Sequence, residues 1–301
     1  MKVAVIGTGI MGTGVGLTLR RKGHEVACWN RTNDNARELV QAGAALRATP
    51  REAAAGAEYV VILVWSEAAL RAVLDGPDGL VAGAQSGQIY LDMSTQLPAT
   101  AVAEAADFAA RGAAFLDAPV HGTRGESRAG GLWIMVGGER AVYERALPLF
   151  QAIGETVHHM GPTGKGCAAK LCGNHLVSTI LAAIGESLAM ARKAGLDGFE
   201  LLKLWGESDF RSPIIEGAGG SMLRHDFGVS FHLRTMVKDT ELVRNFSESI
   251  GVPVLLSNIV HELNKVCANK GFGEENASAI FKLFEEMASI AGQESLDTPV
   301  S

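Results

Sequence analysis

The chain opens on a short apolar run, Val3-Ala4-Val5-Ile6, and returns to such runs at intervals: Tyr59 to Val64, Ile89 to Asp92, Ala114 to Asp117 and Leu132 to Val136. Runs of this length without polar alternation suit parallel strands covered on both faces. A further strand is expected at Glu25 to Trp29. Helical stretches lie between them: Ile10 to Lys22, Asn35 to Ala42 before Gly43, Glu67 to Leu74 before Gly76-Pro77-Asp78-Gly79, and Ala99 to Arg111. Thr49-Pro50-Arg51-Glu52 begins another helix, with a hydroxyl cap, proline at the first helical position and an acidic first turn. This alternation predicts an α/β fold with a doubly wound parallel sheet.

At Gly161-Pro162-Thr163-Gly164 the alternation stops, and everything beyond reads as helix. The expected helices are Lys165 to Ala194, Leu196 to Trp205, Pro213 to Leu223, Leu233 to Ile250, Pro253 to Lys270 and Glu275 to Ile290, with Gln293 to Ser301 a frayed tail. Two domains follow, residues 1–161 and an all-helical 162–301. The long helix from Lys165 is apolar on more than one face, through Leu176, Val177, Ile180, Leu181, Ile184 and Leu188. Such a helix is expected to be buried all round, against its own domain or a second subunit. Its stretch Leu176 to Met190 contains Ser178, Thr179, Glu186 and Ser187, and reads as core rather than as a membrane span.

The first candidate chemistry lies between the first strand and first helix, at Gly7-Thr8-Gly9-Ile10-Met11-Gly12. Glycine at 7 and 9 lets a pyrophosphate approach the backbone, glycine at 12 lets the helix pack close to the sheet, and the helix N-terminus offers unpaired N–H groups. The strand–turn–helix context makes this a dinucleotide site. The second strand ends at Asn30-Arg31-Thr32, where a carboxylate would select an unphosphorylated ribose. An amide, a guanidinium and a hydroxyl suit a 2′-phosphate instead, so the expected cofactor is NADP(H) in preference to NAD(H). Val64 ends the second apolar run, where ligands of open α/β sheets sit. Ser94 and Thr95 follow the next strand; they can bond a cofactor amide or simply cap the following helix.

Composition narrows the partners. The 301 residues carry a net charge of −6, which argues against nucleic acid or an anionic membrane surface. The sequence begins directly with a strand, so a cytoplasmic protein without a signal peptide is expected. Cys28, Cys167, Cys172 and Cys267 form no C-x-x-C pair, and 167 and 172 point about 140° apart on a helix. Buried free thiols are the expectation. His158 and His159 are adjacent on a strand and face opposite ways, while the remaining histidines lack metal-ligand spacing. Asp197, Glu200, Glu207 and Asp209 read as solvated turn charges.

A nicotinamide supplies the hydride, so the protein must supply a proton donor and a grip on the substrate. Lys170 and Asn174 are spaced i, i+4 and share a helix face near the domain boundary. An ammonium there can stabilise and protonate the alkoxide formed on carbonyl reduction; the reverse reaction needs the neutral amine. By pattern alone, an exposed surface charge is the commoner fate of a lysine.

Several motifs in order resemble the β-hydroxyacid dehydrogenase family: Gly7 to Gly12, Asp92-Met93-Ser94-Thr95, Asp117-Ala118-Pro119-Val120, Gly164-Lys165-Gly166 with Lys170 and Asn174, and Lys238-Asp239. The resemblance covers nearly the whole chain and implies an N-terminal Rossmann domain and a helical substrate and dimerisation domain, in a homodimer or homotetramer. It implies Lys170 as general acid/base, with Asn174 holding the substrate. It places Thr95 and Lys238 near the nicotinamide, with Asp239 supporting the substrate site. Residues 121–123, here His121, Gly122 and Thr123, would bind the substrate carboxylate. Asn30-Arg31-Thr32 is similar to the NADPH-preferring glyoxylate/succinic semialdehyde reductase branch.

One departure stands out. The family usually has serine where this chain has His121, and Arg124 and Arg128 follow closely. Either imidazole replaces the hydroxyl, or the site has moved toward a bulkier or more anionic acid gripped by His121 and Arg124. The expected activity is NADP(H)-dependent interconversion of short aldehyde- or keto-acids and hydroxy acids, of the glyoxylate, succinic semialdehyde or 3-hydroxyisobutyrate type. The alternatives are an imine reductase, in which the catalytic lysine tends to be replaced, and a non-catalytic NADP-binding or interaction protein.

Overall fold

The computed structural model describes residues 1–291, so the expected tail at 293–301 lies outside the described residues. The chain divides into two compact units after Lys170, nine residues beyond the boundary drawn at Gly161.

The first unit holds, in order, β1 (Lys2–Ile6), α1 (Ile10–Arg21), β2 (Glu25–Trp29), α2 (Arg37–Gln41), β3 (Ala45–Leu46), α3 (Pro50–Ala54), β4 (Tyr59–Ile62), α4 (Glu67–Leu74), α5 (Leu80–Gly83), β5 (Ile89–Asp92), α6 (Pro98–Ala109), β6 (Ala114–Asp117), β7 (Val120–His121), α7 (Arg124–Ala129), β8 (Leu132–Gly137), α8 (Arg140–Ile153) and β9 (Gly154–Gly161). Strand order is β3-β2-β1-β4-β5-β6-β8-β7, with β9 on β8. From β3 to β6 every pairing is parallel. The expected doubly wound parallel sheet is present, with one reversal at its edge: β8 runs antiparallel to β6 and to β7. Only two residues separate β6 from β7, and Gly122 (φ +129) then turns the chain toward α7 and its return through β8.

The apolar strands divide between two cores, as helices on both faces require. Val3 and Val5 of β1 pack with Leu19 and Phe150, while Ala4 and Ile6 pack with Tyr90 and Phe108. The helix expected over 35–42 is a 3-10 turn, Asn33–Ala36, followed by the short α2. The pattern did not signal α8, whose interior Pro148 argues locally against a helix. Burial of Tyr143, Ala146, Leu149, Phe150 and Ile153 along one face outweighs the lost hydrogen bond.

The second unit consists of the continuation of α9 (Lys165–Lys193), then α10 (Gly198–Glu207), α11 (Pro213–Leu223), α12 (Leu233–Ser249), α13 (Leu255–Asn269) and α14 (Ile280–Met287). Leu181, Ile184 and Leu188 of α9 enter a core with Met222, Met236, Phe281 and Phe284. At Gly185 an added Cβ would stand 2.7 Å from the Phe284 ring, so glycine sets that helix approach. Asp197 is not merely a solvated charge: its carboxylate accepts the Phe199 and Glu200 N–H groups and caps α10. The helix expected over 275–290 begins only at Ile280, after a 3-10 turn at Ala277–Ala279. Two expectations for α9 are corrected within the single chain. Leu176 and Met190 are 60% and 69% exposed, so the helix is not covered all round, and Cys172 is exposed while the other three cysteines are buried.

At the exit of β5 the first unit buries two acids. Gln96 donates from Nε2 to Asp92 Oδ2 and to Glu104 Oε2, each at 2.6 Å, and all three side chains are buried. Burial pushes both carboxyls above the usual range, and the Asp92 charge pushes Glu104 further. Glu104 thus stays protonated at neutral pH and pairs with Asp92. A group whose folded pKa is raised contributes stability that is complete below its unfolded value and is lost as pH climbs toward the folded one; for Glu104 that window runs from 4.5 to about 10. Stability should therefore decline across the neutral to alkaline range. Glu104→Gln keeps an N–H donor toward Asp92 without an ionisable proton and should flatten that decline. Urea midpoints at about pH 6 and about pH 9 check this; equal pH slopes in variant and wild type would discard the shared proton.

Candidate active site

The glycine turn is set by close packing. Gly7 has φ +93, and a Cβ on it would lie 2.1 Å from the Leu63 carbonyl oxygen; one on Gly12 would lie 1.9 Å from the Gly7 carbonyl oxygen. Gly9 differs, because nothing lies within 4 Å of where its Cβ would be. This open side faces the start of α1, where unpaired N–H groups collect. Asn30 secures the turn: its Oδ1 accepts the Thr8 N–H at 2.9 Å and its Nδ2 donates to the Thr32 carbonyl at 2.8 Å. Arg31 and Thr32 are exposed.

A cavity of about 310 Å³ adjoins the turn. Thr8, Gly9, Ile10 and Thr13 line one side, and Asn35, Glu38, Arg124 and Arg128 the other. The buried Thr8 hydroxyl has no protein partner among the described residues. An open glycine face, an orphaned hydroxyl and a helix N-terminus fit the pyrophosphate of a dinucleotide, while the two guanidiniums bring positive charge to the wall beside Glu38. Arg124 belongs to this cavity, with the glycine turn, and not to a cluster around His121.

The ends of β4 and β5 are tied together. Val64 N–H donates to Ser94 Oγ at 3.0 Å, and Ser94 N–H donates to Asp92 Oδ1 at 2.8 Å. Ser94 is therefore a brace between strand ends and not a helix cap; α6 starts at Pro98 after Leu97, without a side-chain cap. Thr95, half-buried, follows directly on this brace.

Asp117, the last residue of β6, is wholly buried. Its two oxygens accept Gly164 N–H at 2.8 Å and Cys167 N–H at 2.9 Å, which caps the first turn of α9. One turn further along, Lys170 Nζ lies 3.1 Å from His121 Nδ1, and Lys170 is only 7% exposed. The alternative of an exposed surface lysine is thus excluded. Burial, reinforced by the Lys170 charge, lowers the His121 pKa to about 4, so the imidazole is neutral at physiological pH. With Lys170 as ammonium, Nδ1 is the acceptor and the proton resides on Nε2. Thr123 turns both donors inward: its N–H and its hydroxyl reach Glu126 Oε2 at 2.7 and 2.6 Å.

In the helical unit, Asn174 Nδ2 donates to Asp239 Oδ2 at 3.0 Å, and Lys238 Nζ pairs with Asp239 Oδ1 at 2.7 Å. Asp239 is buried and so orients both neighbours. The roles of Asp92, Gln96, Glu104, Asp117 and Glu126 had no assignment in the sequence reading. An acid as the final residue of two adjacent parallel strands was the available signal.

The chain is similar to known proteins along both of its halves. Residues 2–161 match the NAD binding domain of 6-phosphogluconate dehydrogenase, and residues 164–284 match the NAD-binding domain of NADP-dependent 3-hydroxyisobutyrate dehydrogenase. The chain is 28% identical to glyoxylate/succinic semialdehyde reductase 2, chloroplastic, of Arabidopsis thaliana, over 96% of this chain and 81% of that protein. It superimposes on 3-hydroxyisobutyrate dehydrogenase from Salmonella typhimurium with a TM-score of 0.85 and 27% identity, covering 94% of this chain and 99% of the other. A structure of Psf3 in complex with NADP+ and 2-OPP gives a TM-score of 0.87 and 25% identity, covering 93% and 99%. With both halves matched and a Rossmann sheet leading into helices, the chain belongs to the β-hydroxyacid dehydrogenase family and is an NAD(P)-dependent oxidoreductase acting on the CH–OH group of hydroxy acids.

Proposed function

We propose that the protein is an NADP(H)-preferring reductase of short aldehyde- or keto-acids, reversible toward the hydroxy acids, with Lys170 as general acid/base. The observation that carries this reading is the buried Lys170 Nζ 3.1 Å from His121 Nδ1. The nicotinamide, when bound, supplies or accepts the hydride. Gly7, Gly9, Ile10 and Met11 would give the phosphates their backbone cradle, Arg31 and Thr32 would meet the 2′-phosphate, and Val64 and Thr95 would border the nicotinamide. The substrate carboxylate lies at His121 and Gly122, with Nε2–H as a side-chain donor. Thr123 contributes through the turn it stabilises with Glu126, since its own donors are engaged. Asn174, oriented by Asp239, holds the substrate oxygen beside Lys170. Lys170 then donates a proton to the oxygen as negative charge develops there, and in the reverse direction removes it as a neutral amine.

Lys170→Ala should lower kcat by about 10² to 10⁴-fold while NADPH binding persists, as expected for loss of a general acid. Consumption of NADPH with glyoxylate, succinic semialdehyde and larger oxo-acids, followed by absorbance, checks this; full activity in the variant would remove Lys170 from the mechanism. His121→Ala removes one acceptor from Lys170 and one donor from the substrate, so kcat/KM should fall about tenfold or more. An unchanged value would leave His121 without a role in turnover.

A homo-oligomer is part of the same proposal. Leu176, Met190, Leu255 and Ile259 of the helical unit are large apolar side chains more than half exposed in the single chain, which supports burial against a second copy. Light scattering after size exclusion should give at least twice the chain mass of 31.6 kDa; a monomer at micromolar concentration would dismiss this part.

A further inference from the structure

We propose that the Arg128–Glu38 ion pair, with Arg124 beside it, decides whether the dinucleotide cavity admits a 2′-phosphate. The inference rests on the NADP(H) reading above and deepens it.

Helix α7 is fixed to the helix that begins at the glycine turn. Gly14 of α1 leaves room for Ser127, whose Oγ would stand 2.1 Å from a Cβ there. The Thr18 hydroxyl lies 3.0 Å and 2.9 Å from the Ser127 and Arg128 carbonyl oxygens, and Arg21 Nη2 donates to the latter at 2.7 Å. Arg124 and Arg128 are therefore held over the cavity by the same helix whose N-terminus opens onto it.

Glu38 belongs to the segment that follows Asn30-Arg31-Thr32, where the adenosine ribose is read. A carboxylate lining that cavity would repel a 2′-phosphate. Arg128 cancels it with two parallel bonds, Nη1 to Oε1 at 2.7 Å and Nη2 to Oε2 at 2.6 Å. The Arg128 Nε–H is buried without an acceptor among the described residues. Arg124 then leaves the cavity wall with an excess positive charge. The Asn30 amide cannot supply that recognition, because both its polar atoms hold the turn. Selectivity for the phosphorylated cofactor thus depends on charge brought from α7, far along the chain from the strand-end signature.

The test compares Arg128→Ala, Arg124→Ala, Glu38→Gln and the double variant Arg128→Ala/Glu38→Gln, by dissociation constants for NADPH and NADH from isothermal titration. Arg128→Ala should weaken NADPH about tenfold or more and leave NADH within about twofold, because it uncovers a carboxylate that only the 2′-phosphate meets. Adding Glu38→Gln should restore much of the NADPH affinity. Arg124→Ala should also weaken NADPH selectively. Loss of both cofactors alike, no loss, or failure of Glu38→Gln to rescue overturns the inference while leaving NADP(H) binding intact. Wild type that binds neither cofactor, or binds NADH more tightly, overturns the NADP(H) reading and this inference with it.

Discussion

The buried carboxylate of Asp117 is the constraint on which the catalytic geometry depends. It ends β6, and it takes two N–H groups from the first turn of α9. A helix N-terminus is a partial positive charge with unpaired donors, and a carboxylate in a dry site is among its strongest partners. The packing leaves no slack: a Cβ on Gly166 would stand 2.4 Å from the Met135 carbonyl oxygen and 2.8 Å from that of Asp117. The same strand end leads within four residues to His121. One acid therefore fixes the origin of the helix that carries Lys170 and the start of the segment that carries its imidazole partner. Loss of that acid would leave two orphaned amides and a displaced lysine together.

A second acid repeats the arrangement one strand away. Asp92 ends β5 in register with Asp117, accepts Ser94 N–H and thereby holds the brace to Val64. Its burial would be costly as a lone charge. Gln96 and the protonated Glu104 share that charge, so the loop ahead of Thr95 is rigid without a cation inside the sheet. Neighbouring strand ends thus use one device, a carboxylate folded back on backbone amides, to shape two walls of the proposed pocket.

The features governed by local periodicity and turn chemistry were legible in the residues. The glycine turn, the strands β1, β2, β4, β5 and β6, the cap at Thr49 and the change from alternating units to helices all follow from short-range patterns, while the two-residue β3 escaped them. The strand reversal at β8 was not, because it turns on Gly122 and a two-residue β7 too short to have a period. Nor was α8, where Pro148 hides a helix that tertiary burial makes. The family motifs named Lys170, Asn174 and Asp239, but the partners that hold them lie 49 and 65 residues away in sequence for Lys170–His121 and Asn174–Asp239. Long-range pairing of this kind leaves no mark in local pattern. The placement of Arg124 shows the same limit: adjacency to His121 suggested one site, while the turn at Gly122 and packing on α1 direct the two side chains to different ones.

The neutral state of His121 bears on the identity of the substrate. A serine hydroxyl would accept from Lys170 and donate to a substrate at a single oxygen. An imidazole accepts at one nitrogen and donates from the other, so His121 can face Lys170 and a carboxylate at once. It does so without adding charge, since burial and the nearby ammonium keep it unprotonated. That removes the main reason to expect a more anionic acid than the family usually takes: the position keeps a donor and gains no electrostatic attraction. Arg124, the other residue that pointed to extra anionic character, lines the dinucleotide cavity instead.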